Sequence, residues 1–324
     1  MKKNKSLHTE QPPAPLVEII ASQNAQTVSP DFEYLTEAIK QRFADSLDAI
    51  ILYGSCLHTS NLSEGIADFH VLVNDYRNAY AKRYLAYLNT WLPPNVFYLE
   101  VTQQEKIFRA KYAVFSTADF EYGNRYWFHP YLWARFAQPA RLLYARDDFI
   151  RQRVDVAMAQ AVVKFLKSSL LALEAHALNT EEIWTQGLML TYAAELRAER
   201  ATRARHLAQL SLNHYERLTA AALPALNGLL TVQTDGPYYY CQATPSDNRR
   251  ARLCWRLRRW QGRILSILRL SKATLTFHDY LNYAAWKIER HSGVRVEVTP
   301  MLRRYPILWG FKVMWLMLRR GILR

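Results

Sequence analysis

Ala49-Ile50-Ile51-Leu52-Tyr53-Gly54-Ser55, followed after twelve residues by Asp68-Phe69-His70-Val71-Leu72-Val73, is the stretch on which the reading of this chain turns. Residues 49–53 are a short apolar run, long enough for a buried strand and too short for a core helix. Gly54-Ser55 ends it with a turn signal. Residues 69–73 form a second apolar run of the same kind. An apolar strand closing on Gly-Ser, with an acid entering the next strand, places a flexible backbone, a hydroxyl and a carboxylate at one end of a sheet. Glycine lets a backbone approach a phosphate chain closely, and a serine hydroxyl with neighbouring N–H groups can hold its oxygens. An acid on the adjacent strand can hold Mg²⁺ bridging the same phosphates.

Working outward, Ser29-Pro30 reads as a helix start, and Phe32, Leu35, Ile39 and Phe43 continue it at three- and four-residue spacing. Residues 76–91 predict a helix stopped by Pro93-Pro94, and residues 96–101 a third strand. Up to about residue 28 the chain is polar and proline-bearing and is expected to be a loose arm. After about residue 148 the pattern turns helical, over 154–178 and 188–207, with Glu199 and Arg203 four apart in the favourable order. Thr234-Asp235-Gly236-Pro237 marks a boundary. The expected organisation is an arm (1–28), a mixed helix-and-sheet domain (29–150), a helical domain (151–235) and a basic terminal segment (236–324), an α+β architecture as a whole.

Charge is distributed unevenly. From Arg249 to Arg324 there are 18 Lys and Arg against 3 Asp and Glu, while the preceding 248 residues hold 24 against 25, so the net charge of +14 resides in the last quarter. Such a segment calls for an anionic partner. Arg252, Arg256, Arg259 and Arg263 share one helical face, and Leu253, Leu257, Trp260, Ile264 and Leu268 the adjacent one. Residues 307–318 are apolar but for Lys312, and Arg303-Arg304 and Arg319-Arg320 flank them. A membrane-spanning helix needs about 20 apolar residues. The run therefore reads as interfacial, with Trp309, Phe311 and Trp315 at the lipid boundary. An anionic membrane surface is the expected partner, and nucleic acid is not. Cys56, Cys241 and Cys254 have no CxxC or zinc spacing and read as reduced thiols. The start of the chain has neither a secretory apolar core nor an arginine-rich presequence.

The Gly-Ser turn with its following acid resembles the signature of the DNA polymerase β nucleotidyltransferase superfamily. That resemblance implies Gly54 and Ser55 around a triphosphate and Asp68 on Mg²⁺. The superfamily's second acid falls where this chain has His70. Glu100 on the third strand, or Asp75 just after the second, is then the further metal ligand to expect.

More specifically, the chain resembles the mitochondrial-type CDP-diacylglycerol synthases, the translocator assembly and maintenance family. The similar segments are Tyr53-Gly54-Ser55, Asp68 with Asn74-Asp75, Lys111-Tyr112-Ala113-Val114-Phe115-Ser116, Ala134-Arg135-Phe136-Ala137-Gln138-Pro139-Ala140, and Tyr192-Ala193-Ala194-Glu195-Leu196-Arg197. They span about half the chain in the family's order. Three family glycines are alanine here (Ala113, Ala134, Ala194), an aspartate is Glu195 and a lysine is Gln138. The resemblance implies a phosphatidate cytidylyltransferase that joins CTP and phosphatidate. Asp68, Lys111 and Arg135 would be catalytic, and Tyr53, Gly54, Ser55, Lys111, Glu195 and Arg197 would contact the nucleotide. Arg303, Arg304, Trp309, Phe311, Lys312, Trp315, Arg319 and Arg320 would dock at the cytoplasmic face of a bacterial inner membrane, or the matrix side of the mitochondrial one. The rival expectations are a nucleotidyltransferase acting on RNA or a small molecule, and a catalytically degenerate membrane scaffold.

Overall fold

The structure is a computed structural model that describes residues 11–57, 65–103, 106–173, 177–195, 201–233 and 238–276. Its centre is a mixed sheet in the order β3-β4-β2-β1-β5, formed by β1 (Leu47–Tyr53), β2 (Ala67–Val73), β3 (Asn95–Gln103), β4 (Lys106–Ser116) and β5 (Ala140–Ala145). β2 runs antiparallel to β1 and parallel to β4, while β3 with β4 and β1 with β5 pair antiparallel. Both faces of the sheet are covered, which is why β1 and β2 read as unbroken apolar runs rather than alternating ones.

One face carries Ile50, Leu52, Phe69, Val71, Tyr112 and Val114. It packs on Phe32, Leu35, Ile39 and Phe43 of α2 (Phe32–Phe43), the periodic set that the sequence predicts. The other face carries Ala49, Ile51, Leu72, Ala113, Phe115 and Leu142. Against it lie α5 (Thr117–Tyr126), α6 (Trp133–Phe136) and α7 (Asp148–Leu170). Two short helices, α3 (Tyr76–Ala79) and α4 (Arg83–Trp91), link β2 to β3, in place of the one continuous helix expected over 76–91.

Two further expectations are corrected. The expected loose arm contains a helix, α1 (Ala14–Asn24), with Leu16 and Ile20 buried among α7 and β5. Gln23 donates to the Ala140 carbonyl at 3.1 Å and Asn24 to Asp155 at 2.7 Å. Pro13 stands just ahead of it, where a fixed φ and a missing N–H suit a helix start. Among the described residues the helical part also shares its core with the sheet. The cluster that begins at Leu16 runs through Trp133, Val162, Trp184 and Tyr215 to Trp255. α8 (Thr180–Ala193), α9 (Ala201–Leu210) and α10 (Leu212–Ala222) are thus fused to the sheet's second face through α7 and α1. The helix expected over 188–207 is interrupted after Ala193. A small second sheet joins β6 (Ala177–Leu178), β8 (Tyr239–Cys241) and β7 (Leu230–Val232), and a long helix, α11 (Pro245–Thr276), follows.

Candidate functional site

The sheet register builds the site. Tyr53 at the end of β1 lies opposite Asp68 at the start of β2, Asp68 opposite Lys111 on β4, and Lys111 opposite Tyr98 on β3. Side chains in one such row share a face. The row therefore runs Tyr53, Asp68, Lys111, Tyr98 across the sheet that carries the helical layers. Lys111 Nζ stands 3.0 Å from Asp68 Oδ1. Gly54 leaves β1 with φ +87°, a conformation that L side chains rarely adopt, and a Cβ built there would lie 3.5 Å from Asp68 Oδ2. The glycine thus brings bare backbone to the carboxylate. Residues 55–57 form one short helical turn after it. The side chain of Ser55 lies outside the described residues.

Arg135 closes the row from α6. It donates to the Tyr131 carbonyl at 2.9 Å, stacks over the rings of Tyr131 at 4.5 Å and Tyr53 at 5.3 Å, and pairs with Glu195 at 3.7 Å. Burial is the largest single influence and disfavours its charge, but Glu195, Tyr53, Tyr131 and Asp68 together outweigh it and hold its pKa above the ordinary arginine value. Glu195 sits just past the C-terminal end of α8, outside the helix interior, so its side chain is free to turn to Arg135. Tyr192 donates to Gln138 at 3.1 Å and Gln138 to the Ala134 carbonyl at 2.8 Å, which ties α8 to α6.

These groups open on a cavity of about 660 Å³ between the sheet edge, α6, the end of α8, and α9 with α10. Tyr53, Gly54, Asp68, Arg135 and Glu195 line one side. Arg203 and His206, three apart on α9, line the other with Tyr215. The volume lies in the range of small-molecule and cofactor sites. The resemblance did not mark Arg203, His206 or Tyr215. Their i, i+3 spacing is visible in the sequence, but nothing local shows that this helix faces the sheet.

The remaining expected residues lie elsewhere. Glu100 is two strands away from Asp68, roughly 10 Å at ordinary strand spacing. It accepts from Tyr98 at 2.8 Å and Arg109 at 3.2 Å. Asp75 lies past the far end of β2, roughly 20 Å along the strand from Asp68, where it caps α3 by accepting from the Arg77 N–H at 2.7 Å. Neither lines the cavity, so neither joins Asp68. Arg197 and the docking set Arg303, Arg304, Trp309, Phe311, Lys312, Trp315, Arg319 and Arg320 lie outside the described residues.

His70 shares the sheet face of Asp68 but is fully buried, with neither ring nitrogen hydrogen-bonded within the described residues. Its ring lies parallel to Phe115 at 5.4 Å, with Tyr53 at 4.6 Å and Phe136 at 4.9 Å. Burial, then the charges of Arg135 and Lys111, hold its pKa well below the ordinary value, so it is neutral at pH 7. Among the described residues no three His, Cys, Asp or Glu side chains converge on one point. Among the described residues the carboxylates lining the cavity are Asp68 and Glu195, and Glu195 is paired with Arg135. Magnesium commonly takes one or two carboxylates and fills its shell with waters and substrate phosphates, so the site meets that requirement at its lower limit.

No family model matches the sequence, and no curated protein matches it. Among solved structures, a nucleotidyltransferase-like protein from Exiguobacterium sibiricum 255-15 is similar over 64% of this chain and 98% of its own, at 12% identity and a TM-score of 0.24. That likeness is too slight to weigh on fold or function, which rest on the strand order and the site itself. The motif-by-motif resemblance to the CDP-diacylglycerol synthases gains no support from these comparisons.

Proposed function

We propose that the cavity binds a nucleoside triphosphate and that the protein is a nucleotidyltransferase. The observation that carries this reading is the meeting of the Gly54 turn with Asp68, itself paired to Lys111, on the lining of a cavity whose walls bring in Arg135 and Arg203. Lysine and arginine clamp the charge that gathers on phosphates during transfer, and arginine does so in a fixed fork. Tyr192 on the cavity wall offers an aromatic surface for a base. Asp68, together with the triphosphate's oxygens and water, would hold Mg²⁺, which supplies charge neutralisation at the phosphates.

The finer proposal names the pair as CTP and phosphatidate, the acceptor's phosphate oxygen forming a bond to the α-phosphorus as the bond to pyrophosphate breaks. An anionic phosphate nucleophile needs no strong general base. This supports the reading in a cavity whose one histidine among the described residues, His206, shares its wall with Arg203. The segment expected to meet phosphatidate's bilayer, 303–320, lies outside the described residues, and the choice of acceptor rests on sequence resemblance alone.

A second reading is favoured by one observation. His70 is locked among aromatic rings where a second acid would stand, which suits a protein that binds the nucleotide without transferring it. Incubating the full chain with Mg²⁺, phosphatidate vesicles and each of four α-labelled nucleoside triphosphates separates the three. Label transferred from CTP to lipid supports the finer proposal. Pyrophosphate release that appears only when RNA or a small-molecule alcohol replaces the vesicles, with the label joined to that acceptor, moves the acceptor to RNA or a small molecule. Nucleotide binding without release leaves the second reading.

A further inference from the structure

α11 turns three different faces in three directions. Its residues advance about 100° each, so Ala251, Trp255, Arg258, Gly262 and Lys272 fall on one side. That side is bolted to the body. Trp255 donates to the Ser168 carbonyl at 3.0 Å, Arg258 to the Phe128 carbonyl at 2.8 Å, and Lys272 to the Pro94 carbonyl at 2.7 Å. Gly262 meets the end of α8 so closely that a Cβ there would stand 1.9 Å from the Ala194 carbonyl oxygen. Ala194 precedes Glu195, the partner of Arg135, so the inner face of α11 reaches the back of the cavity wall.

The opposite side carries Leu253, Leu257, Trp260, Ile264, Ile267 and Leu268, at 38 to 69% exposure, in one continuous stripe. Scattered exposed apolar residues are normal, but a contiguous stripe marks an interaction surface. Beside it runs a row of exposed arginines, Arg252, Arg256, Arg259 and Arg263. Residues 249–276 hold nine Lys and Arg and no Asp or Glu, and only Arg258, Arg269 and Lys272 among them are turned into the body.

We propose that this outward face of α11 is a docking surface for an anionic lipid bilayer. The stripe enters the interface and the arginine row lies on the headgroups, the arrangement of an interfacial amphipathic helix. Charge selects this occupant over others. The chain's own segment 277–324 carries nine basic and three acidic residues, so it would bring like charge to the arginine row. A second copy of the face would do the same. A nucleic acid would satisfy the arginines but has no use for six apolar side chains in line. The proposal stands whether or not the cavity transfers nucleotides, and its test reads lipid binding only.

The full chain is sedimented with phosphatidylcholine vesicles and with vesicles of phosphatidylcholine mixed with phosphatidylglycerol, at low and raised salt. The wild type binds the mixed vesicles, more weakly as salt rises. The double variant Leu257→Glu, Ile264→Glu and the fourfold arginine-to-glutamine variant at positions 252, 256, 259 and 263 each lose about tenfold or more in partitioning. The fourfold variant also loses its salt sensitivity. Tyr87→Ser, on an exposed residue of α4, binds as wild type. All the substituted residues are exposed, and circular dichroism verifies that each variant is folded. Acrylamide quenching of the lipid-free protein, wild type against Trp260→Phe, finds Trp260 open to solvent. Mixed-vesicle binding by the double variant equal to wild type overturns the proposal, and so does a Trp260 already shielded before lipid is added. RNA binding that falls in the fourfold variant while vesicle binding stays intact overturns it in favour of nucleic acid.

Discussion

The cavity and the outer face of α11 are both rich in cations, and they treat them in opposite ways. At the cavity each central cation has an acid of the lining beside it: Lys111, on the neighbouring strand, has Asp68 at 3.0 Å, and Arg135 has Glu195 at 3.7 Å. Such pairing keeps charge inside a partly closed space at a tolerable desolvation cost. On the proposed function, an arriving phosphate chain would take over the lysine as a cation comes to the carboxylate. On α11 Asp247 in the first turn is the one acid, and residues 249–276 set nine Lys and Arg beside no Asp or Glu of their own. Paired cations fix a geometry, and on the proposed docking face the arginine row is what an anionic surface would meet.

The largest expected effect breaks the cavity side of this contrast. Asp68→Asn should lower nucleotidyl transfer on the order of a hundredfold or more while the protein stays folded. A neutral amide neither holds a cation against the phosphates nor balances Lys111. Steady-state turnover beside circular dichroism checks it, and near-wild-type turnover removes Asp68 from the machinery. Next comes the junction between the two regions. Gly262→Ala should cost about 1–3 kcal/mol in denaturant unfolding, because the new methyl meets backbone rather than a flexible side chain. It should also weaken nucleotide binding through the displaced Glu195. Loss of stability with nucleotide affinity intact would show the two regions to be independent.

A smaller effect has the opposite sign. His70→Phe replaces a buried ring with two unpartnered nitrogens by an apolar one of similar shape. It should raise stability by about 1–3 kcal/mol and leave transfer largely intact. A stable variant with abolished transfer would assign His70 to the chemistry.

The last effect is a slope with pH. Burial holds His129 at about 3 and His214 at about 4, and His70 well below the usual value. An unfolded histidine titrates near 6.5, so below that pH the unfolded state binds more protons than the folded one. Stability is therefore full above about 6.5 and falls as pH drops, by up to about 1.4 kcal/mol per pH unit for each histidine. The contribution of His214 levels off below about 4. Urea midpoints between neutral and mildly acidic pH should show this fall, and His70→Phe should lessen it.

How much was legible follows the same physical lines. β1, β2 and α2 were readable because strands buried on both faces are continuous apolar runs and α2 keeps a clean periodicity. β4 escaped as a strand because Arg109 and Lys111 interrupt its apolar pattern; they point to the face where Glu100 and Asp68 wait, and only the register reveals that. α1 was missed although Leu16 and Ile20 are spaced for a helix, because its flanks are polar. The break after Ala193 has no signal in an alanine-rich stretch whose propensity favours continuing the helix. Asp68 and Lys111 could be named from the sequence, but their ion pair could not, since 43 positions separate them. Glu100 and Asp75 were plausible ligands by order along the chain and are separated from Asp68 by strand order and strand length.

Titrating CTP with Mg²⁺ into the wild type, Lys111→Met and Tyr87→Ser, each as the full chain, tests the central claim most directly. If the triphosphate sits on the row from Gly54 through Asp68 to Lys111, Lys111→Met binds on the order of tenfold or more weakly, and Tyr87→Ser, far from the cavity lining, binds as wild type. CTP affinity that is unchanged by Lys111→Met, or no measurable binding by the wild type, contradicts the account.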